Sequence, residues 1–375
     1  MNNLPQMWQN VKQDEWNDWT WQLKNRVTTA EELKKIIELT PEEEEAIEQT
    51  KKAFPMAITP YFSLFIEKDD PEGPIRKQVV PTLKESNVSR FDLVDPCGED
   101  EDSPVPGLVH RYPDRVLLLA TEQCASYCRY CTRKRMVGIK ETTLSRERLR
   151  KIFAYIKADP AIRDVLISGG DPLLLPDDKL QWILSKLRNI STVEIVRIGT
   201  RVPVYLPQRI NKELITMLRE FHPLWINIHF SHPAEITEEG RNACSMLVDA
   251  GIPLGSQTVL LRGINDDSST IRTLVHEMVK MRIRPYYLYQ CDLALGTEHF
   301  RTRVAVGIEI MEDLQGYTSG YAVPTFVIDA PQGGGKVPIA PIYMISQSRN
   351  CVSIRNYEGG LYRYWEPDDS SQGEK

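Results

Sequence analysis

The sequence predicts an α/β fold, a partial (β/α)6 barrel with a helical extension before it and a shorter segment after it. Three observations carry this. Six short apolar runs recur from Arg115 onward, spaced roughly 30 residues apart. Amphipathic stretches of helical period lie between them, and strands alternating with helices at this spacing form parallel sheets. The 375 residues leave chain to spare on both sides of the repeat. A doubly wound sheet fits the same pattern.

Residues 1–108 read as a polar, acidic, helical extension. Thr40-Pro41-Glu42-Glu43 predicts a helix start, with a capping hydroxyl, proline at the first position and acids near the positive end of the helix dipole. Two loops rich in Pro, Asp, Glu and Gly follow, 69–74 and 95–107. The second reads as a domain boundary or as a solvated loop within one domain.

Residues 109–292 hold the barrel. Strands are expected at 116–120, 165–168, 194–198, 225–230, 257–261 and 284–290, and helices at 146–156, 179–187, 212–219, 237–248 and 270–279. Residues 293–375 lose that rhythm. They contain a glycine-rich turn, Gln332-Gly333-Gly334-Gly335-Lys336, and strand-like pieces at 343–346 and 351–355. The polar end, 368–375, is expected to be disordered.

Hydrophobic residues make up 41% and charged residues 26%, the balance of a soluble globular protein. A net charge of −6 supplies no basic field for nucleic acid or anionic membrane. The start has no basic stretch followed by an apolar one, and no apolar run is long enough to span a bilayer. A cytoplasmic protein is expected.

Seven cysteines are present, an odd number, and Cys97, Cys244, Cys291 and Cys351 stand alone, which argues against a disulfide framework. Cys124, Cys128 and Cys131 form C-x3-C-x2-C directly after the first barrel strand. Three thiolates on one loop can wrap a face of a cubane [4Fe–4S] cluster, leaving one iron without a protein ligand. The amino and carboxylate groups of S-adenosylmethionine suit that iron. Tyr130 stands ready to stack on the adenine. The plainer alternatives are a zinc site completed by a distant residue, or thiols without metal. Structural zinc motifs usually come as two pairs, and there is no second pair here. His229 and His232, at a strand end, read as packing or substrate polarity. Ser168-Gly169-Gly170-Asp171 ends the second strand, where paired glycines let backbone approach a ligand; the same residues also fit a plain βα turn.

Taken together, these motifs resemble the radical S-adenosylmethionine superfamily and, within it, the lysine 2,3-aminomutases. The likeness lies in His110–Arg115, Cys128–Arg133, Arg284–Tyr287 and Asp329–Lys336 and extends over nearly the whole chain. The resemblance implies a radical-SAM barrel, with pyridoxal phosphate held as a Schiff base by Lys336 in the C-terminal segment. On its own Lys336 reads as a surface lysine in a mobile loop. It is not a P-loop lysine, since Val337 replaces the required Ser or Thr. By similarity Arg111, Tyr112 and Arg115 hold the pyridoxal phosphate. The resemblance implies Tyr130, Ser168, Gly169, Gly170, Asp171, Gln257 and Tyr289 as further cofactor contacts.

The implied reaction interconverts L-lysine and β-lysine, with a 5′-deoxyadenosyl radical acting on the substrate–pyridoxal aldimine. Arg133 is implied to take the α-carboxylate, and Asp292 with Asp329 the distal ammonium. An electron donor such as flavodoxin or ferredoxin, a homo-oligomer, and no nucleic acid or membrane partner are expected.

Two departures from the family pattern stand out. The chain ends without the cysteine-rich tail of many relatives, and Asp267 stands where a further zinc-binding cysteine is usual. No structural zinc is therefore expected, and the family's mode of assembly is in question. Gln332 replaces a usual glycine, which would stiffen the loop before Lys336. Competing readings are an aminomutase for arginine or glutamate, and a β-lysine-forming enzyme for translation-factor modification, whose relatives look shorter at the N-terminus. A zinc-stabilised binding protein without turnover is the reading from outside enzymes.

Overall fold

The computed structural model describes residues 4–367, so the disorder expected of 368–375 lies outside the described residues. A hairpin opens the main sheet, with β1 (Leu108–Tyr112) antiparallel to β2 (Arg115–Thr121). β3 (Asp164–Gly169), β4 (Ile195–Thr200), β5 (Leu224–His229), β6 (Leu254–Leu260), β7 (Ile283–Gln290) and β8 (Thr325–Ala330) follow in spatial order, all parallel from β2 onward. β9 (Gly335–Pro338) ends the sheet antiparallel to β8.

Two buried rungs run across the strands. One is Val116–Val165–Val196–Leu224, and the other is Leu118–Ile167–Ile198–Ile226–Leu254–Ile283. Strand side chains alternate between faces, so these positions share one face. The helices Arg146–Ala158, Asp177–Arg188, Lys212–Leu218, Glu238–Asp249 and Ser268–Lys280 press their apolar stripes into the same core, through residues such as Leu149, Ile152, Leu184, Leu247 and Leu274. All five expected helices are present, with ends within a few residues of those read from the sequence.

The parallel run has seven strands where the sequence reading counted six. The sheet continues past Asp292, through the helix Val304–Leu314 into β8. That helix escaped notice because it is apolar on most of its circumference, which blurs the helical period. It packs closely on β8: a side chain at Gly307 would collide with the Phe326 ring. β10 (Met344–Gln347), β11 (Cys351–Arg355) and β12 (Leu361–Trp365) form a separate antiparallel sheet.

The N-terminal residues share the barrel's core, with Trp8, Trp16, Leu33, Ile58 and Phe62 in the same apolar cluster as Leu118 and Ile183. Thr40 caps its helix as expected, accepting from Glu43 N at 3.2 Å while Glu43 accepts from Thr40 N at 2.8 Å. Asp267 also has a capping role, accepting from Thr270 N at 2.9 Å at the start of Ser268–Lys280. Among the described residues no helix is long and apolar enough to cross a membrane.

Candidate active site

The C-terminal ends of the parallel strands gather the polar residues, as barrel architecture demands. The loop leaving β2 carries Cys124, Cys128 and Cys131. It is braced from the N-terminal region: Tyr127 N donates to Ala57 O at 2.9 Å, and buried Arg129 donates to Phe54 O, Pro55 O and both oxygens of Glu85. Arg26 Nη1 donates to Cys124 O at 2.9 Å.

All seven cysteines are free thiols. Burial and the neighbouring thiols push Cys124 well up and Cys131 up to about 11. Among the described residues, the one trio of potential ligands lying within 4.8 Å of one another is Cys97, Asp292 and Asp329. The three loop thiols do not all lie within that distance of one another. Sulfurs around a single tetrahedral zinc, bound at about 2.3 Å, would sit about 3.8 Å apart. Not all three sulfur pairs match that single-zinc spacing.

Arg201, directly after β4, is a functional candidate that the sequence reading missed. Its buried guanidinium donates to Cys128 Sγ at 2.8 Å, Gln78 Oε1 at 2.6 Å and Glu235 Oε1 at 2.8 Å, and also to the Tyr130 hydroxyl. An arginine at a barrel strand's C-terminal end was the available signal. Tyr130 is buried, its hydroxyl 2.7 Å from Ser231 Oγ and its ring edge-on to Phe300. The aromatic face expected to meet adenine is thus packed among protein groups.

Gly169 and Gly170 serve the cysteine loop itself. Side chains there would strike the backbone of Thr121 and Gln123, Gly169 has φ +119°, and Asp171 N donates to Gln123 O at 2.7 Å. Asp171 is buried and its oxygens are taken by Thr200 Oγ1 at 2.7 Å, Arg201 N at 2.7 Å and Leu173 N at 3.1 Å. It ties β3 to β4. Ser168 Oγ lies against Gly199 of β4.

Across β5, β6 and β7 runs a polar chain: His229 Nε2 to Gln257 Oε1 at 3.1 Å, then Gln257 Nε2 to the Tyr289 hydroxyl at 3.3 Å. Burial holds His229 down to about 4, so the ring is neutral. Tyr289 is pushed well up by burial and by Asp329.

Lys336 is the second residue of β9, beside these groups. Its Nζ lies 3.2 Å from both oxygens of Asp329 and 5.5 Å from the centre of the Tyr289 ring. Burial, reinforced by the charge of Asp329, raises Asp292 to about 6, against the opposing influence of Thr132, Lys336 and Arg133. The structure therefore brings Lys336, Asp329, Asp292 and Tyr289 together.

On the facing edge of the sheet, Tyr112 accepts from Lys336 N at 2.8 Å, and Arg115 lies 3.9 Å over the Tyr112 ring. Arg115 pairs with Asp114 at 2.7 Å in a half-exposed contact, the kind a phosphate dianion can displace. Arg111 donates to Asp102 at 2.7 Å and to Cys97 O. The two arginines and the Lys336 amine suit a phosphorylated aldehyde cofactor.

The loop 95–107 turned out to be a wall of this site. Pro96 O accepts from Gln332 N at 3.2 Å, and Gly98 packs so closely on Gly333 that a side chain would clash. Glu99 pairs with Arg133, and the Cys97 thiol stands near Asp292 and Asp329. Sequence reading missed Cys97 and Glu99, because their roles depend on this long-range fold. Gln332 adopts φ +58°, so it occupies the left-handed backbone that favours the glycine usual there.

Residues 118–274 match the Radical SAM superfamily, and residues 311–375 match the family described as Lysine-2,3-aminomutase. The chain is 56% identical over 373 residues to L-lysine 2,3-aminomutase of Clostridium subterminale, covering 100% of this chain and 90% of that protein. It is 51% identical to the enzyme of that name in Bacillus subtilis, covering 97% and 77%. Glutamate 2,3-aminomutase of Clostridioides difficile is 45% identical, covering 94% and 84%. With likeness of this extent over the whole chain, the chain belongs to the lysine 2,3-aminomutase family of the radical SAM superfamily.

Proposed function

We propose that this chain is a lysine 2,3-aminomutase, interconverting L-lysine and β-lysine with a [4Fe–4S] cluster, S-adenosylmethionine and pyridoxal phosphate. The observation that carries the choice of lysine is the pair of carboxylates, Asp292 and Asp329, within 4.8 Å of each other beside Lys336. Two partly buried acids at one point favour a cationic side chain and repel an acidic one. The chain's own Lys336 ammonium already sits against Asp329, as a substrate ammonium would once Lys336 is engaged elsewhere.

Bound together, the cofactors supply a 5′-deoxyadenosyl radical that removes and returns a hydrogen atom, and a π system through which the amino group migrates. Cys124, Cys128 and Cys131 hold the cluster, with Arg201 compensating thiolate charge beside Cys128. Gly169 and Gly170 set the cysteine loop against β3. Lys336 carries the pyridoxal phosphate, and Tyr112, Arg111 and Arg115 anchor its ring and phosphate. Arg133 receives the substrate carboxylate. His229, Gln257 and Tyr289 form a polar wall between the two cofactor regions, and neutral His229 adds no charge there.

The reaction needs a one-electron reductant, and a flavodoxin or ferredoxin fits. A reducing cytoplasm suits three free ligand thiols. Assembly as a homo-oligomer would cover the exposed apolar residues Met344, Leu361, Tyr364 and Trp365 of β10–β12.

The test is anaerobic reconstitution with iron, sulfide, pyridoxal phosphate, S-adenosylmethionine and reductant, offering lysine, arginine and glutamate separately. β-Lysine is the expected product. Turnover of glutamate or arginine in preference to lysine would overturn the substrate assignment.

A further inference from the structure

Arg133 meets Glu99 through one edge of its guanidinium. Nε donates to both carboxylate oxygens, at 2.9 and 3.0 Å, and Nη2 donates to Oε1 at 2.6 Å. Nη1 makes no hydrogen bond to the described protein residues. A guanidinium carries five N–H donors in a flat fork, so the edge made by Nη1 and the outer Nη2 hydrogen is free. That edge matches a second carboxylate through two parallel bonds.

Glu99 is itself buried, and its loop is held from several sides. Arg111 donates to Cys97 O and to Asp102, and Gln332 N donates to Pro96 O. One short segment therefore sets the position of Arg133 relative to the strand carrying Lys336.

We infer that Glu99 is a positioning residue for the substrate: it grips one edge of Arg133 so that the opposite edge is presented to the α-carboxylate. The inference rests on the reading that Arg133 receives that carboxylate. Glu99 cancels part of the arginine's charge, so orientation is what it adds, not attraction. A free arginine side chain samples many rotamers, and Glu99 removes that freedom before substrate arrives.

The experiment compares the holoenzyme with its Glu99→Gln and Glu99→Asp variants. Kinetics are measured on lysine, and the affinities of lysine and lysine amide are read from the pyridoxal absorbance. Glu99→Gln is expected to raise KM and Kd for lysine about 10-fold, with kcat falling less than about 3-fold and the amide's Kd moving less than about 2-fold. Glu99→Asp keeps an anionic acceptor and is expected to recover part of the lysine affinity.

Equal weakening of acid and amide would make Glu99 a general packing residue and overturn the inference. So would no change in either. If wild-type enzyme bound acid and amide alike, the role of Arg133 itself would fall. That result is visible before any variant is made.

Discussion

The Tyr112 hydroxyl accepts a hydrogen bond of 2.8 Å from the backbone N–H of Lys336, joining the two edge strands of the sheet, β1 and β9. The residues are 224 positions apart in the chain. The contact places the amine proposed to carry the cofactor next to the arginines proposed to hold its phosphate.

Tyr112→Phe removes this acceptor. A typical hydrogen bond contributes about 1 kcal/mol net, so pyridoxal phosphate affinity is expected to fall about 5-fold. Gly335→Ala should cost more, because the position has φ +80° and a side chain would press on the Tyr112 hydroxyl. Titration of the apoprotein followed by absorbance checks both; equal affinity in wild type and Tyr112→Phe would count against the clamp.

Cys124→Ala, Cys128→Ala and Cys131→Ala should each lose the iron–sulfur absorption and the formation of 5′-deoxyadenosine, while still binding pyridoxal phosphate at Lys336. Cys244→Ala and Cys351→Ala should keep all three signals. Iron analysis after anaerobic reconstitution reads the difference.

Asp292 governs an expected pH dependence. Its carboxyl is raised to about 6, so below pH 6 the free enzyme carries it protonated and the pocket loses negative charge. Attraction for a substrate ammonium therefore grows as pH rises through about 6. The kcat/KM for lysine should climb through that point, since this ratio reports groups of the free enzyme. Asp292→Asn should abolish that limb and weaken lysine binding by at least about 10-fold. A limb unchanged in the variant would assign the titration elsewhere.

Arg201 and Glu235 are a buried ion pair at 2.8 Å. Arg201→Met leaves Glu235 without its cation, a loss of about 3–5 kcal/mol in stability. The double variant Arg201→Met/Glu235→Gln should recover much of the melting temperature. It should not restore the environment of Cys128, whose thiol the guanidinium contacts at 2.8 Å. Thermal denaturation separates the two effects.

Much of this protein was legible in its residues alone. The period of the strands and helices, the helix start at Thr40 and the three-thiol spacing are local patterns, and local patterns follow from backbone geometry and side-chain chemistry. The seventh parallel strand was hidden because the helix before it is apolar on most sides. Asp171 reads as a ligand in sequence, yet the fold fills its acceptor sites with Thr200, Arg201 and Leu173.

The sequence by itself determined the chemistry on offer: thiols for a cluster, an amine after a glycine run, arginines for anions, and carboxylates for a cation. Only the tertiary structure decided which of these meet. Glu99 found Arg133, Arg201 found Cys128, and Tyr112 found Lys336 across long stretches of chain. The parallel strands bring Arg201 and Cys128 together at their C-terminal ends, while loop 95–107 and the antiparallel edge strands β1 and β9 fold in Glu99, Tyr112 and Lys336, and no local spacing encodes that.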